Sequence, residues 1–287
     1  MANNCATGTA ISLGLLFEPL AHPKPGAVTR CTSHRDKDIM IYAKTLYPVI
    51  RSCQIACTGE CRSFMARGLR EYAKLLQRIT GTNPNLGSLL LLLPLCRASN
   101  STGVVEDLLK EASELVVACD SRETAKAYYD LLSSLGVSHL GRYEGPLPSV
   151  GSNSYPTGLL PILEFTKWDH VHRELLNGYP MTYEAYRMIR NEGLSEESII
   201  KTVLTLLSKY GDTLIGRKYG WRAYKRAIRE AREALRYSEK LGIATAIAWL
   251  DRIWRERGWN PGAILDIVAV ASGLSYAVEL GLLVEGR

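Results

Sequence analysis

Polar, helix-breaking clusters interrupt a strongly apolar chain, and they hold the residues able to do chemistry. The first runs from Glu18 through His22-Pro23-Lys24-Pro25-Gly26 to Arg30. Its prolines Pro19, Pro23 and Pro25 fix φ and make a rigid turn, Gly26 permits close backbone approach, and Lys24 held there is a preorganised cation. The second is Thr80-Gly81-Thr82-Asn83-Pro84-Asn85-Leu86-Gly87, directly before a Leu-rich segment. Thr82, Asn83 or Asn85 suits an N-cap at that point, and the free amides of a helix start suit an anion. The third group lies in the C-terminal half. Asp212-Thr213, with Arg217 and Gly220, joins two helical segments, and Asn260-Pro261-Gly262 opens the last apolar one. Asp266 reads as a first-turn residue of that helix, where a carboxylate suits the positive end. Its neighbours Ala263, Ile264, Leu265, Ile267 and Val268 are apolar, so the side chain is expected to point inward, where it needs a metal or a cation.

Other reactive residue types read more plainly. Cys53, Cys57 and Cys61 recur every four residues, but no C-x2-C pair and no histidine accompanies them, so they read as small core residues rather than zinc ligands. Disulfides cannot be deduced from such spacing. His170 and His172 are two apart and face different sides of a helix, unlike a metal pair, and Asp169 reads as a capping or surface carboxylate. His22, in the proline turn, is a lesser candidate for touching substrate. From Arg217 to Arg236 eight basic residues face two acidic ones, an excess equal to the whole net charge of +6. Lys218, Arg222, Lys225, Arg229, Arg232 and Arg236 make a helical stripe, whose first turn suits phosphates and whose remainder reads as solvent-facing.

The elements that must position these clusters are helical. Apolar residues at the 3.6 period predict helices over 9–20, 37–57, 60–80, 86–98, 104–116, 121–135, 162–176, 182–191, 195–209, 220–240, 243–257 and 263–283. Val116-Val117-Ala118-Cys119 is the best strand candidate. The expected fold is therefore all-α: one multi-helix bundle domain over 1–287, with a Pro- and Gly-rich segment at 141–161 as a flap or linker. A composition of 46% hydrophobic and 22% charged residues in 287 excludes a disordered chain. The apolar run 86–96 is too short to span a bilayer, and 263–284 holds Asp266 and Glu279, which points to a buried helix. No signal peptide is visible, so a soluble, cytoplasmic protein with no membrane partner is expected. Oligomeric state is not legible.

The order P-K-P-G-x-V, G-x-N-x-x-x-G, D-T…R…G and N-P-G…D in a helical chain of this length resembles the triphosphoribosyl-dephospho-coenzyme A synthase family. Glu18, four residues before His22, also fits that family's pattern. The resemblance implies a transferase in which the 2′-hydroxyl of dephospho-CoA, or a related nucleotide hydroxyl, attacks the anomeric carbon of ATP's ribose and adenine leaves. It implies Mg²⁺ as cofactor, with Glu18, Asp212 and Asp266 as candidate metal ligands or base. It further implies Lys24 and Arg217 as triphosphate cations, and Gly26, Asn83, Asn85, Gly87, Asn260 and Gly262 as substrate-binding positions. The family's N-T-H-K-G stretch reads Asn83-Pro84-Asn85-Leu86-Gly87 here, so Asn85 and Leu86 replace a histidine and a lysine. Its H-x-D-M element is approximated by His34 to Met40, with Asp36 or Asp38 as the acid. The replaced pair motivates an alternative, a catalytically silent nucleotide-binding scaffold. The basic stripe motivates a weaker one, an RNA-binding helical module.

Overall fold

The structure, a computed structural model, describes residues 5–34, 37–82, 84–135 and 145–286. Among the described residues there are no strands, only isolated bridges at Thr29–Thr32 and Val104–Val284, and the fold is all-α as expected. The first half contains α1 (Ala6–Ser12), α2 (Gly14–Leu20), α3 (Ile39–Cys57), α4 (Phe64–Leu76), α5 (Leu86–Ala98), α6 (Val105–Ala118) and α7 (Arg122–Ser134). The second contains α8 (Leu160–Phe165), α9 (His170–Asn177), α10 (Pro180–Glu192), α11 (Glu196–Tyr210), α12 (Thr213–Tyr219), α13 (Trp221–Leu241), α14 (Ile243–Glu256) and α15 (Gly262–Glu279).

Side-chain caps set many of the boundaries. Asp38, Ser121, Asp169, Ser195 and Asp212 each sit at an N-cap and accept a backbone N–H of the following turn. Ser195 and Ser198 exchange bonds in both directions. Caps also explain where the sequence reading needs correction. The helix expected over 162–176 is two, α8 and α9, because Asp169 starts a new helix at His170. The segment read as a joint after Asp212 is itself helical, α12, capped by that aspartate. The helix expected over 9–20 breaks at Leu13, whose N–H bonds Ala10 O at 3.1 Å in a tightened turn. The strand candidate 116–119 is the end of α6, which runs to Ala118.

Among the described residues, the one helix long and apolar enough to cross a membrane, Gly262–Glu279, is the axis of the bundle. It is buried along most of its length and packs against α1, α2, α5, α9, α10, α11 and α12. Elements from both ends of the chain therefore meet on one helix, which is what brings distant polar clusters together. The described part of the Pro- and Gly-rich segment lies against α7, where Tyr129 Oη donates to Pro148 O at 2.9 Å, and Asp120 accepts Leu159 N at 2.6 Å.

The cysteines correct the reading of Cys53, Cys57 and Cys61 as unpaired core residues. Each has a different remote partner: Cys5–Cys57, Cys53–Cys96 and Cys61–Cys119, with Cα separations of 5.9, 5.6 and 5.0 Å. Spacing every four residues thus serves three separate cross-links on one side of α3 and its C-terminal turn. Cys31 is the exposed free thiol. The bridges span 52, 43 and 58 residues. Closing loops of this length contributes about 2–4 kcal/mol per bridge by restricting the unfolded chain. Reduction with a strong thiol reductant is expected to lower the thermal midpoint markedly, by about 10 °C or more at this size. Calorimetry of oxidised and reduced protein checks this; equal midpoints would contradict it.

Candidate active site

The polar clusters converge on a cavity of about 460 Å³, within the usual range for small-molecule sites. Its lining includes Glu18 from α2, Asn85, Gly87 and Ser88 at the start of α5, and Tyr128 from α7. Asp169, Val171 and His172 contribute from the start of α9, Arg217 and Lys218 from α12, and Asn260, Gly262 and Asp266 from the start of α15. Lys37 and Tyr42 complete one wall. Of the residues singled out from sequence, Glu18, Asn85, Gly87, Arg217, Asn260, Gly262 and Asp266 all line it. Asn83 lies outside the described residues, as does Asp36.

Lys24 does not line the cavity. Its ammonium is wholly buried, forms an ion pair with Glu18 and donates to the Glu18 carbonyl at 2.5 Å. Burial pushes both partners toward their neutral forms, raising the Glu18 pKa and lowering that of Lys24, while each charge holds the other ionised. The proline turn thus serves to fold a lysine back under a cavity carboxylate. Gly26 also sits behind the wall. With φ of +64° and a Cβ position only 2.1 Å from Trp259 O, it admits no side chain. Its N–H donates to Asp251 Oδ1 at 2.7 Å, and His34 Nε2 donates to its carbonyl at 2.5 Å. His22 bonds Thr29 Oγ1 at 3.0 Å, away from the cavity lining.

Asp212 and Asp266 divide the work expected of either. Asp212 is buried, and its two oxygens accept Leu214 N at 2.8 Å, Ile215 N at 3.1 Å and Ile264 N at 2.8 Å. It caps α12 and simultaneously receives an amide from the first turn of α15, locking the two cavity helices together. Asp266 lies in the second turn of α15, one turn later than its sequence position suggested, and faces inward as expected. Its carboxylate accepts from Ser88 Oγ. Burial raises both aspartates to about 7; for Asp266 the negative charges of Glu18 and Asp212 add to the rise. A Cβ at Gly87 would come within 2.1 Å of Asp266 Oδ2, so a side chain there displaces the carboxylate. Asn85 occupies the N-cap position of α5, but its side chain turns to Thr45 Oγ1 at 2.9 Å instead of capping.

The opposite group was legible only in part: the sequence offered Arg217 as a phosphate cation and Asp169 as a cap, but no role for Tyr128 or His172. Asp169 caps α9 through Val171 N at 3.0 Å and also faces Arg217 at 3.8 Å across the cavity lining. His172 Nδ1 lies 2.6 Å from Thr166 Oγ1, and Nε2 lies 3.3 Å from Tyr128 Oη. Burial lowers the His172 pKa and disfavours the charged ring. Arg217 and the Asp169 cap were the sequence signals for this corner; that they meet Tyr128 and His172 depends on how α7 and α12 pack. Two electrostatic neighbourhoods result, one of Glu18, Asp266 and Asp212, the other of Asp169, Arg217, His172 and Tyr128.

The decisive comparison is with families of known sequence pattern: residues 5–282 match that of ATP:dephospho-CoA triphosphoribosyl transferase. The chain belongs to that family. It is accordingly a transferase, moving the triphosphoribosyl group from ATP to dephospho-CoA. Among solved structures, an Archaeoglobus fulgidus protein assigned as a triphosphoribosyl-dephospho-coA synthase is similar in fold. The two share 18% identity at a TM-score of 0.62, over 83% of this chain and 97% of that one. No curated protein sequence matches the chain significantly.

The residues present fit the magnesium that the family resemblance implies. Glu18 and Asp266 offer hard carboxylate oxygens to one cavity, and Asn260 Oδ1 is buried without a hydrogen-bond partner. No group of three or more His, Cys, Asp or Glu that could hold a metal occurs among the described residues.

Proposed function

We propose that this cavity transfers the triphosphoribosyl group of ATP to the 2′-hydroxyl of dephospho-CoA, releasing adenine. The observation that carries the reading is the meeting of Glu18, Asn85, Arg217, Asn260 and Asp266, drawn from four remote segments, on the wall of one cavity. Arg217, Lys218 and Lys37 supply cations for the triphosphate. Glu18 and Asp266 would hold Mg²⁺, which when bound neutralises triphosphate charge. Displacement at an anomeric carbon develops positive charge on the sugar, and carboxylates fixed close to the ring favour that state. Asn260, with its unpartnered amide oxygen, is placed to accept a ribose hydroxyl. Asp212 positions α12 and α15 and touches no substrate in this scheme.

Incubation with ATP, Mg²⁺ and dephospho-CoA is expected to release adenine stoichiometrically with acceptor consumed. Omission of Mg²⁺, or chelation, is expected to slow it at least about 10²-fold. Folded protein that binds ATP yet releases no adenine would instead support the silent-scaffold reading, which Asn85 and Leu86 favour by replacing the family's basic pair. Cytoplasmic residence belongs to the proposal with one condition: three disulfides persist in a reducing cytoplasm mainly in heat-adapted cells.

A further inference from the structure

His172 combines three observations that the scheme above leaves unused. It lines the cavity, burial disfavours its charged form, and its proton is placed by its neighbours. Thr166 Oγ1 donates its only proton to Ile162 O at 2.5 Å. The bond from Thr166 to His172 Nδ1, 2.6 Å long, must then carry a proton on the imidazole nitrogen. In a neutral ring this leaves Nε2 as the bare acceptor. Tyr128 Oη approaches that nitrogen at 3.3 Å, a long bond that a better-placed hydroxyl can replace.

We propose that His172 is a catalytic residue of the transfer, its Nε2 taking the proton of the attacking acceptor hydroxyl while Thr166 fixes the tautomer. The inference rests on the transferase reading proposed above. The acceptor oxygen forms a bond to the anomeric carbon of ATP's ribose. The bond from that carbon to the adenine nitrogen breaks, and its electron pair leaves with adenine. The hydroxyl proton goes to Nε2 and from there to solvent, while adenine gains one proton from solvent, so the turnover neither consumes nor yields protons. The cavity carboxylates Glu18 and Asp266 are thereby left free of base duty. The groups facing the imidazole are Asp169 ahead of its own helix, Arg217 from α12 and Tyr128 from α7. Asp169 favours the imidazolium that forms, and Arg217 opposes it.

The test compares adenine release by the parent protein, His172→Gln and His172→Ala, with thermal unfolding and ATP binding measured alongside. His172→Gln is expected to lose about 10²–10³-fold in kcat with KM for dephospho-CoA little changed. The acid-side ionisation of the pH profile is expected to disappear with it, and added imidazole is expected to restore part of the rate of His172→Ala. A kcat within about threefold of the parent overturns the proposal. So does a loss that tracks lowered stability and resists imidazole. Nitrogen NMR of the ring needs no turnover: an Nδ1–H tautomer is expected, with dephospho-CoA shifting Nε2. An Nε2–H tautomer, or a ring indifferent to the acceptor, overturns the role of His172 even in an inactive parent. Absence of adenine release by the parent overturns the transferase reading instead.

Discussion

Asp266→Asn is expected to abolish adenine release while making the ligand-free protein more stable above neutral pH. The carboxyl titrates near 7 in the folded state against an ordinary 3.8, because burial and the charges of Glu18 and Asp212 disfavour ionisation. The folded protein therefore binds this proton more tightly than the unfolded chain does. The stabilisation is fully present below the unfolded pKa and is lost as pH rises through the folded one, so the window runs from about pH 4 to 7. Asp212, also raised to about 7, adds in the same direction. These two carboxyls accordingly lower stability as pH rises through that window, while His170, lowered to about 4 by burial, acts in the opposite direction. Asparagine carries no charge at any pH and still accepts from Ser88, so the Asp266 share of that slope vanishes in the variant. Activity should fall by at least about 10²–10³-fold, since charge placed for the transition state is gone. The stabilisation of the parent by ATP with Mg²⁺ should shrink as well. Melting curves across pH, beside adenine release, check both halves. A variant that stays active, or that melts below the parent in alkaline buffer, contradicts the assignment.

The Glu18–Lys24 pair gives the second large effect, and a double-mutant cycle separates its structural from its chemical part. Both groups are buried, so Lys24→Met leaves a carboxylate without its cation and Glu18→Gln leaves the reverse. Removing one partner of such a pair costs about 3–5 kcal/mol. The double variant leaves no uncompensated charge and is expected to recover most of that loss, since replacing both partners is often nearly neutral. Urea unfolding of the four proteins measures the coupling. Activity should follow a different rule: the double variant is expected to be folded and inactive, because Glu18 faces the cavity and Lys24 does not. Recovery of activity along with stability would reduce Glu18 to a structural residue. A selective rise in KM for ATP in a stable Lys24→Met protein would restore the phosphate role that its sequence context suggests.

Much of the local structure was legible because its causes are local. The bounds of α5 (Leu86–Ala98), and the starts of α7 and α11 one residue after the expected 121 and 195, follow from apolar period and side-chain chemistry within a few residues. Errors arose where a polar residue had two possible duties. Asp169 and Asp212 each start a helix in the middle of a segment read otherwise, and each also reaches a partner on another element. Cys53, Cys57 and Cys61 show the same limit. Their regular spacing is a property of the chain, whereas their partners Cys96, Cys5 and Cys119 are set by how α1, α3, α5 and the end of α6 pack.

The sequence by itself determined the helical class, the identity of the polar clusters and the inward-facing carboxylate on the last helix. These rest on period, caps and motif order, which act over short stretches of chain. The tertiary structure alone decided which cluster residues share the cavity and which stand behind it. Lys24 is spent on Glu18, and Asp212 on three backbone amides of which one lies 52 residues away, while Tyr128, Asp169 and His172 join the lining. The physical reason is that a buried charge or ring nitrogen takes its role from the groups that close around it, and those arrive from remote segments only when the bundle assembles on α15.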